Sequence, residues 1–432
     1  MKKANDFYEI LNAVEFNSPI LSKEDEFFVD FKDLRKGFSE VSIYKNLHIN
    51  PKTMKCNDLN ANQRIFLSGH KGTGKTTELL KLKNEINETG CFLTVYCDVA
   101  NEKSGTNDMD IVDIIIFMLE KLVKELQDKD IKIGNDDIES FYNWYNQRII
   151  EINDKTDKSA TIEIEAKGGI NLLSFYKLLV GTKAKLSASQ DTKDTIRRVF
   201  TNNFSEFSTK FNYFIINIKD IIRKENIAQD LLFIIDGFEK VGSFEDRQRI
   251  LIDESDKFVE IKSNMILTLP IELFSKKINV RDFSTLISLP LITLDDKGIK
   301  KFKEFIYKRI NENLFDNEAV VEEIIKYGLG SPRETLQMIQ DSYMLAQNDI
   351  IDTKSVLDAK EKLSNELVDY LTAKDIEVLN SIQNNEDITY DGIIGELLSK
   401  KAILEYGDGT NKKINPIILE NEKYQRLIAQ RN

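Results

Sequence analysis

The feature that most constrains this chain is the segment Gly69-His-Lys-Gly-Thr-Gly-Lys-Thr76. It matches the pattern G-x-x-x-x-G-K-[ST], follows a short apolar run at residues 64–68, and precedes residues 76–88, which have helical spacing. Glycines let the backbone curl so that several N–H groups face one phosphate chain, and the helix N-terminus adds partial positive charge. The sequence therefore predicts a phosphate-binding loop. The alternative, a chance match in a glycine-containing turn, does not explain the flanking strand and helix.

Individual side chains of this loop have predictable roles toward ATP and Mg²⁺, the two predicted cofactors. Lys75 is placed to reach the β- and γ-phosphates, and Thr76 to put its hydroxyl on Mg²⁺. His70 is expected to hold a structural or backbone position rather than to act as an acid or base. The residues of the loop predicted to bind the nucleotide are Gly69, His70, Lys71, Gly72, Thr73, Gly74, Lys75, Thr76 and Thr77.

A second acidic element follows later in the chain. Residues 230–236 hold five consecutive apolar residues between two acids, which is typical of a strand buried on both faces. Asp236 at its end is predicted to hold Mg²⁺ together with Thr76, although any buried strand that ends in Asp fits. Glu239 is the candidate for polarising the attacking water, unless it is simply an acid that favours a helix start.

Three further residues are candidates for the same site. Thr268, near the end of a strand predicted at residues 264–269, is either a sensor of the γ-phosphate or an ordinary strand threonine. Pro332 and Arg333 follow Gly-Leu-Gly-Ser. Such a turn can lay backbone on adenine and aim a guanidinium at phosphate, whereas proline is also common in the first turn of any helix. No spacing selects an arginine finger, with Arg281 and Arg309 as candidates.

A long insertion separates the strand at residues 91–97 from the strand at 230–236. Within residues 161–190, flanks that alternate like strands enclose an apolar stretch that could touch a membrane or a partner. A seam of apolar residues then predicts one long helix. That seam either packs on the core or contacts another chain. Its members are Phe200, Phe204, Phe207, Phe211, Phe214, Ile218 and Ile221.

The C-terminal part predicts short helices followed by a two-stranded wing at residues 402–406 and 414–418, as in a winged helix. Over residues 371–432 there are eight Lys or Arg and ten Asp or Glu, so the net charge is 8 − 10 = −2. DNA-reading wings usually sit in basic patches, so packing or protein contact is favoured. Because Lys412 and Lys413 lie at the tip of the predicted wing, binding to nucleic acid remains an alternative.

Composition limits the remaining classes. The net charge of −12 disfavours non-specific attraction to nucleic acid or anionic membranes. Three cysteines and two histidines make a zinc site improbable, and the odd cysteine count argues against a disulfide framework. No signal-peptide pattern and no run long enough to span a membrane is visible. The expected compartment is therefore a reducing one, the cytoplasm.

Taken in order, Gly-His-Lys-Gly-Thr-Gly-Lys-Thr-Thr-Glu-Leu, Ile-Ile-Asp-Gly-Phe-Glu-Lys, Thr-Leu-Pro and Gly-Ser-Pro-Arg resemble STAND-type ATPases. These belong to the wider AAA+ and origin-recognition-like group of P-loop proteins. The similarity is greatest to a bacterial family labelled only "ATP-binding protein", and it covers roughly residues 20–420. Relatives often act as nucleotide-dependent switches that assemble on activation, many of them in conflict and antiphage systems.

The resemblance implies an α/β fold, a P-loop NTPase of the ASCE type with a parallel sheet between helices, plus a helical insertion, a helical lid and a winged helix. It implies slow ATP hydrolysis, a protein partner or effector chain, and a homo-oligomer. A DNA-binding loader and a non-hydrolysing ATP-bound scaffold remain alternatives. The acid that often directly follows the strand-end Asp is here Gly237, which puts fast hydrolysis in doubt. The implied parts are residues 1–60 (extension), 61–293 (core, with the insertion at about 128–228), 294–366 (lid) and 367–432 (winged-helix-like).

Overall fold

The structure is a computed structural model, and it describes residues 2–57, 61–101, 108–155, 170–274, 283, 285–384, 391–407 and 411–430. The strands are β1 (Arg64–Ser68), β2 (Phe92–Asp98), β3 (Asp230–Asp236), β4 (Asn264–Leu269), β5 (Thr285–Ser288), β6 (Ile403–Tyr406) and β7 (Asn411–Ile414). The α-helices are α1 (Ile10–Ala13), α2 (Glu40–Asn46), α3 (Lys75–Glu88), α4 (Ile111–Asp128), α5 (Asn135–Lys155), α6 (Leu172–Leu186), α7 (Gln190–Asn202), α8 (Phe204–Lys224), α9 (Phe244–Gln248), α10 (Asp256–Glu260), α11 (Ile271–Phe274), α12 (Asp296–Arg309), α13 (Glu318–Tyr327), α14 (Pro332–Leu345), α15 (Thr353–Asp369), α16 (Ala373–Gln383), α17 (Asp391–Ser399), α18 (Pro416–Leu419) and α19 (Glu422–Ala429).

Five parallel strands form the central sheet in the order β2-β3-β4-β1-β5. Strand β4 pairs with both β1 and β3, so it separates the strand that leads into the glycine-rich loop from the strand that ends at Asp236. Parallel strands end at the same edge of a sheet, and the register places Asp98 of β2 opposite Asp236. This topology confirms the predicted α/β P-loop fold class.

Both faces of the sheet are covered, which explains the uninterrupted apolar run of β3. Leu231, Phe233 and Ile235 pack in the cluster that holds the buried sides of α4 to α8. The alternate residues Leu232 and Ile234 pack with α3 on the opposite face. Helix α3 begins directly after the glycine-rich loop, so its burial fixes the loop relative to the sheet edge.

The apolar seam of the insertion is divided between two helices. Phe200 lies in α7 and the rest of the seam in α8, because Asn203 leaves the helical conformation and its side-chain amide donates to the Val199 carbonyl at 2.7 Å. The prediction of one long helix is therefore wrong. The seam packs within the chain, where Phe211 and Phe214 contact Phe141 of α5.

Helix α6 occupies the apolar stretch of the insertion. The predicted strand-like flank at residues 183–188 is wrong, since Lys183 and Lys185 belong to the last turn of α6. The flank at 161–166 lies outside the described residues. The side of α6 that carries Phe175, Leu178 and Leu179 is buried in the core cluster. Among the described helices, none combines the length and apolar character that a membrane span requires.

Helices α12 to α15 form a second layer beside the carboxyl edge of the sheet. Their apolar sides share one cluster with Phe7, Ile10 and Val14 of the N-terminal segment. The later part of that segment, including Ile43 and Leu47, packs beside β1 instead. Residues 2–57 thus join the sheet to the helical layer.

The C-terminal part contains α16, α17, an antiparallel β6–β7 hairpin, α18 and α19. The predicted second strand at residues 414–418 is wrong. The strand lies earlier, at Asn411–Ile414, and Asn415 caps a short helix whose first residue is Pro416. Proline suits that first helical position because its missing N–H has no partner there anyway. Whether these elements act as a winged helix stays a prediction.

One disulfide joins Cys56, in the loop before β1, to Cys91, next to the first residue of β2, across a Cα–Cα distance of 5.5 Å. The prediction of reduced cysteines is therefore wrong for this pair. The two residues are 35 positions apart in sequence, and only the fold brings them together. Cys97 is buried and not disulfide-bonded.

Candidate nucleotide site

The glycine-rich loop connects β1 to α3 in the conformation that its glycines allow. Gly74 has φ 91° and caps α3, so the amide groups at the N-terminus of that helix face the loop. Gly72 has φ 97°, and a Cβ there would lie 2.9 Å from Ser331 Oγ and 3.0 Å from Arg333 Cβ. The loop is therefore packed against the start of α14, and a side chain at Gly72 would push them apart.

Lys75 is buried at the first position of α3. Its Nζ donates to the carbonyls of Gly69 at 2.8 Å and His70 at 3.0 Å. The ammonium thus lies inside the curve of the loop, where it could contact a bound phosphate. Thr73 is buried and donates its hydroxyl to the His70 carbonyl.

Arg35, which the sequence did not single out, supports the loop from behind. Its guanidinium is 3% exposed and donates from Nη2 to the Thr73 carbonyl at 2.6 Å and from Nη1 to the Pro290 carbonyl at 2.9 Å. Glu78 of α3 lies 3.8 Å from its Nε. Since the bonds go to backbone carbonyls, no paired motif in the sequence could reveal them.

Asp236 lies at the carboxyl end of β3, beside the loop. Its carboxylate accepts a hydrogen bond from the Tyr96 hydroxyl at 2.9 Å, and the Thr76 side chain acts to lower its pKa. Oδ1 is buried and has no hydrogen-bond partner among the residues that the structure describes. The structure thus brings together Thr76 and Asp236, the two residues predicted to hold Mg²⁺.

These groups fit a Mg²⁺ ion. Mg²⁺ prefers oxygen ligands and usually keeps several waters, so proteins bind it through one or two carboxylates together with substrate phosphates. The unpartnered Oδ1 of Asp236 and the Thr76 hydroxyl are such oxygens. No group of three or more His, Cys, Asp and Glu residues is placed to hold a metal within the part of the chain described. A Mg²⁺ ion would therefore need the phosphates to complete its ligands.

The charged groups at this edge of the sheet shift the pKa values of Asp236 and Glu239 in opposite directions. Burial raises the pKa of Asp236, and the nearby Glu239 carboxylate raises it further. Burial also acts to raise the pKa of Glu239, but the charges of Lys75, Lys240 and Arg333 and a backbone hydrogen bond together hold that pKa below its usual value. The two carboxylates repel each other when no cation lies between them. Asp236 is then the one that is harder to ionise.

Glu239 lies in a short 3-10 turn, Phe238–Lys240, that follows Gly237. Its Oε2 is shielded from solvent and accepts no hydrogen bond within the described part of the chain. Gly237 has φ 96°, and a Cβ there would lie 2.6 Å from Ala100 Cβ and 2.9 Å from Ala100 N. A second acid cannot directly follow Asp236 here, and the turn presents Glu239 instead.

Thr268 is fully buried, and its hydroxyl oxygen accepts hydrogen bonds from the amides of Gly237 at 3.0 Å and Phe238 at 3.3 Å. It holds the turn that carries Glu239. It is not among the residues that line the cavity described next. As a γ-phosphate sensor it remains a prediction.

A cavity of about 140 Å³, open to solvent, lies between the loop and the helical layer. The structure brings Pro332 and Arg333 to it, at the first turn of α14. The N-terminal segment 15–20, which the sequence did not single out, forms another side, and Arg333 Nε donates to the Phe16 carbonyl. Its lining residues are Glu15, Phe16, Asn17, Ser18, Pro19, Ile20, Gly72, Gly74, Lys75, Thr76, Thr77, Asp98, Ala100, Asn101, Asp236, Gly237, Glu239, Lys240, Phe305, Arg309, Pro332, Arg333 and Leu336.

His70 turns away from this cavity. Its ring is 2% exposed, and Nε2 accepts a hydrogen bond from the Glu405 amide of β6 at 2.8 Å. Burial, and then the charge of Lys75, lowers the pKa of His70 to about 3, so the ring is neutral and able to accept. The structure therefore places His70 in a contact between the loop and the C-terminal hairpin.

Of the two arginine-finger candidates, the structure describes only one. Arg281 lies outside the described residues. Arg309 is 3% exposed at the end of α12 and lines the chain's own cavity, so it cannot reach a neighbouring molecule's nucleotide in this conformation.

Asp236→Asn tests the charge arrangement. Because the pKa of Asp236 is raised above its usual value near 4, the wild-type protein without Mg²⁺ loses stability as pH rises through the raised pKa. We expect Asp236→Asn to remove that loss and to raise the melting temperature at pH 8 relative to wild type, with little difference at pH 4. A melting series without Mg²⁺ measures it. Equal pH dependence in both proteins would contradict the assignment.

Comparisons with known proteins show only distant likeness. No protein-family model matches the chain, and neither does any curated protein. Among solved structures, Cdc6p from Pyrobaculum aerophilum is similar with a TM-score of 0.38 and 11% identity, covering 90% of this chain and 92% of that chain. The Aeropyrum pernix ORC2 protein in ADPNP–ADP complexes gives 0.36 and 11%, covering 94% and 98%. The Thermotoga maritima RuvB Holliday junction branch migration motor gives 0.31 and 12%, covering 85% and 87%. At such low scores these likenesses carry no argument about function.

Proposed function

We propose that this chain is an ATP-binding P-loop ATPase of the AAA+ kind that hydrolyses ATP slowly with Mg²⁺. One observation carries the proposal: the glycine-rich loop, with buried Lys75 at its centre, opens onto a cavity that also holds Asp236 and Glu239. The cavity thus combines hydrogen-bond donors for a phosphate chain with carboxylate oxygens for a cation. It also holds the Glu239 carboxylate, which can act on a water molecule.

The chemistry follows from these positions. The loop amides and Lys75 bind the β- and γ-phosphates, and Arg333 adds charge at the mouth of the cavity. A Mg²⁺ ion at Thr76 and Asp236 would neutralise phosphate charge. The unpartnered Oε2 of Glu239 accepts a hydrogen bond from the attacking water and orients it. Thr268 and Gly237 position Glu239 by fixing its turn.

Lys75→Ala tests nucleotide binding. The variant loses a charged hydrogen-bond donor to phosphate, so we expect ATP affinity to fall roughly 10- to 100-fold. Calorimetric titration with ATP and Mg²⁺ measures it. Lys124→Ala is the matched control, because it removes the same group from an exposed position of α4 outside the cavity. Equal affinity of all three proteins would refute a phosphate-binding role for the loop.

The finer proposal is a STAND-type switch that changes its assembly with nucleotide and acts through a protein partner or effector chain, as in bacterial conflict and antiphage systems. It rests on the sequence resemblance. Light scattering of the purified protein with no nucleotide, with ADP, and with ATP plus Mg²⁺ tests it, with phosphate release followed in the same samples. Growth in mass with ATP that Lys75→Ala abolishes supports the switch. An unchanged mass with phosphate release only on adding DNA favours a loader, and bound ATP that stays intact favours a scaffold.

A further inference from the structure

Arg309 occupies an unusual position for an arginine. It is the last residue of α12 and is 3% exposed, yet among the described residues no carboxylate lies within ion-pair distance of it. Nη1 donates to the Phe305 carbonyl at 3.0 Å, whereas Nε is buried and finds no acceptor in the described ranges of the chain. A buried guanidinium with an unused donor is costly unless something supplies an acceptor.

The guanidinium is also held in a fixed orientation. Its centre lies 4.0 Å from the ring centroid of Phe305 and 5.4 Å from that of Phe27. The Arg309 carbonyl accepts a hydrogen bond from the Ala4 amide at 2.8 Å, which fixes the end of α12 to the N-terminal segment. A side chain packed on two aromatic rings loses little further entropy when it binds a ligand, so it is preorganised to recognise one.

The cavity has two kinds of surface, and Arg309 belongs to the second. Polar and charged groups come from the loop, Asp236 and Glu239, and they suit the triphosphate. Apolar side chains come from Phe16, Pro19, Ile20, Phe305 and Leu336, and they suit the flat faces of a nucleobase. Arg309 lies next to Phe305 on its own helix and lines the same cavity. The Arg309 side chain is therefore among those that would enclose the nucleoside.

We propose that Arg309 is a specificity-determining residue that donates a hydrogen bond to an acceptor on the nucleoside, either N3 or N7 of the purine or a hydroxyl oxygen of the ribose. The inference rests on the proposed nucleotide function and extends it from phosphate binding to recognition of the nucleoside. In this assignment the loop and Arg333 bind the phosphates, and Arg309 binds the nucleoside.

The test compares two ligands on Arg309→Met, which keeps apolar bulk and removes the donors. We expect affinity for ATP to fall about 10- to 100-fold, while affinity for inorganic tripolyphosphate with Mg²⁺ stays within about twofold of wild type. Retained tripolyphosphate binding also shows that the variant is folded. Unchanged ATP affinity, or an equal loss for both ligands, would overturn the proposal.

Nucleotide analogues on the wild-type protein identify the acceptor and do not depend on the variant's folding. We titrate 7-deaza-ATP, 3-deaza-ATP, 2′-deoxy-ATP and 3′-deoxy-ATP, each of which lacks one acceptor. One analogue should bind about 10-fold or more weakly than ATP to the wild type, and should show no such loss relative to ATP on Arg309→Met. If every analogue binds the wild type as ATP does, Arg309 does not read the nucleoside. If neither ATP nor tripolyphosphate binds the wild type, the proposed function itself fails.

Discussion

Glu239→Gln is expected to reduce the rate of phosphate release by roughly 10²- to 10⁴-fold while leaving ATP affinity within a few-fold of wild type. The amide keeps the shape of the side chain but cannot accept the proton of the attacking water. The Oε2 of Glu239 is buried near Lys75 and Asp236 with no hydrogen-bond partner among the described residues, so we expect water to bind there. Single-turnover phosphate release, followed alongside equilibrium binding, separates the rate of chemistry from affinity.

Glu245→Gln is the matched control for this prediction. Glu245 lies six residues further on, is exposed in α9 and does not line the cavity. Its substitution should leave both quantities unchanged. If Glu239→Gln releases phosphate at the wild-type rate, Glu239 is an acid of the turn and some other group orients the water. If ATP stays intact in the wild type too, the non-hydrolysing scaffold is the better description.

Gly237→Ala is expected to lower the free energy of unfolding by roughly 2–5 kcal/mol, from strain of a non-glycine residue at positive φ together with overpacking. The added methyl would lie 2.6 Å from Ala100 Cβ, 2.9 Å from Ala100 N and 3.2 Å from Asp98 Oδ1, and two of these atoms cannot move without the backbone. Urea unfolding measures the change. Gly237→Glu should be worse, so restoring the acid that often follows the strand-end Asp should not restore activity.

Gly90→Ala separates the two contributions to that loss. Gly90 has φ 68°, and a Cβ there meets nothing within 4 Å. The substitution should therefore cost only the conformational strain, about 1–2 kcal/mol. If the two alanine variants lose equal stability, the crowding at Ala100 is relieved at no cost, and another reason must be found for the glycine after Asp236.

The sequence predicted the sheet well because its strands are buried on both faces. Runs such as residues 64–68, 230–236 and 264–269 have the bounds of β1, β3 and β4, since continuous apolar character marks a central parallel strand. The helical spacing of apolar residues was less informative about where a helix ends. The seam from Phe200 continues across Asn203 because a break in the helix leaves the apolar spacing intact.

The sequence predicted the site residues whose side chains would bind ligands. It did not predict those whose side chains bind the protein's own backbone. Lys75 and Asp236 belong to patterns of fixed spacing, and the structure brings both to one cavity. Arg35 bonds to carbonyl oxygens that every residue possesses, so no residue type marks its partner. Segment 15–20 reaches the cavity through tertiary packing alone, and Cys56 finds Cys91 for the same reason.

The contact between His70 and Glu405 has a consequence for the order in which the chain is made. The two residues are 335 positions apart. A ribosome adds about 5–20 residues per second, so roughly 20–70 s pass between synthesis of the loop and of the hairpin strand that contacts it. During that interval the loop lacks its neighbour in β6, while β1, α3 and later β3 can already pack. The glycine-rich loop has the clearest sequence motif of the chain. It is nevertheless among the last parts of the molecule to gain all of its contacts during synthesis.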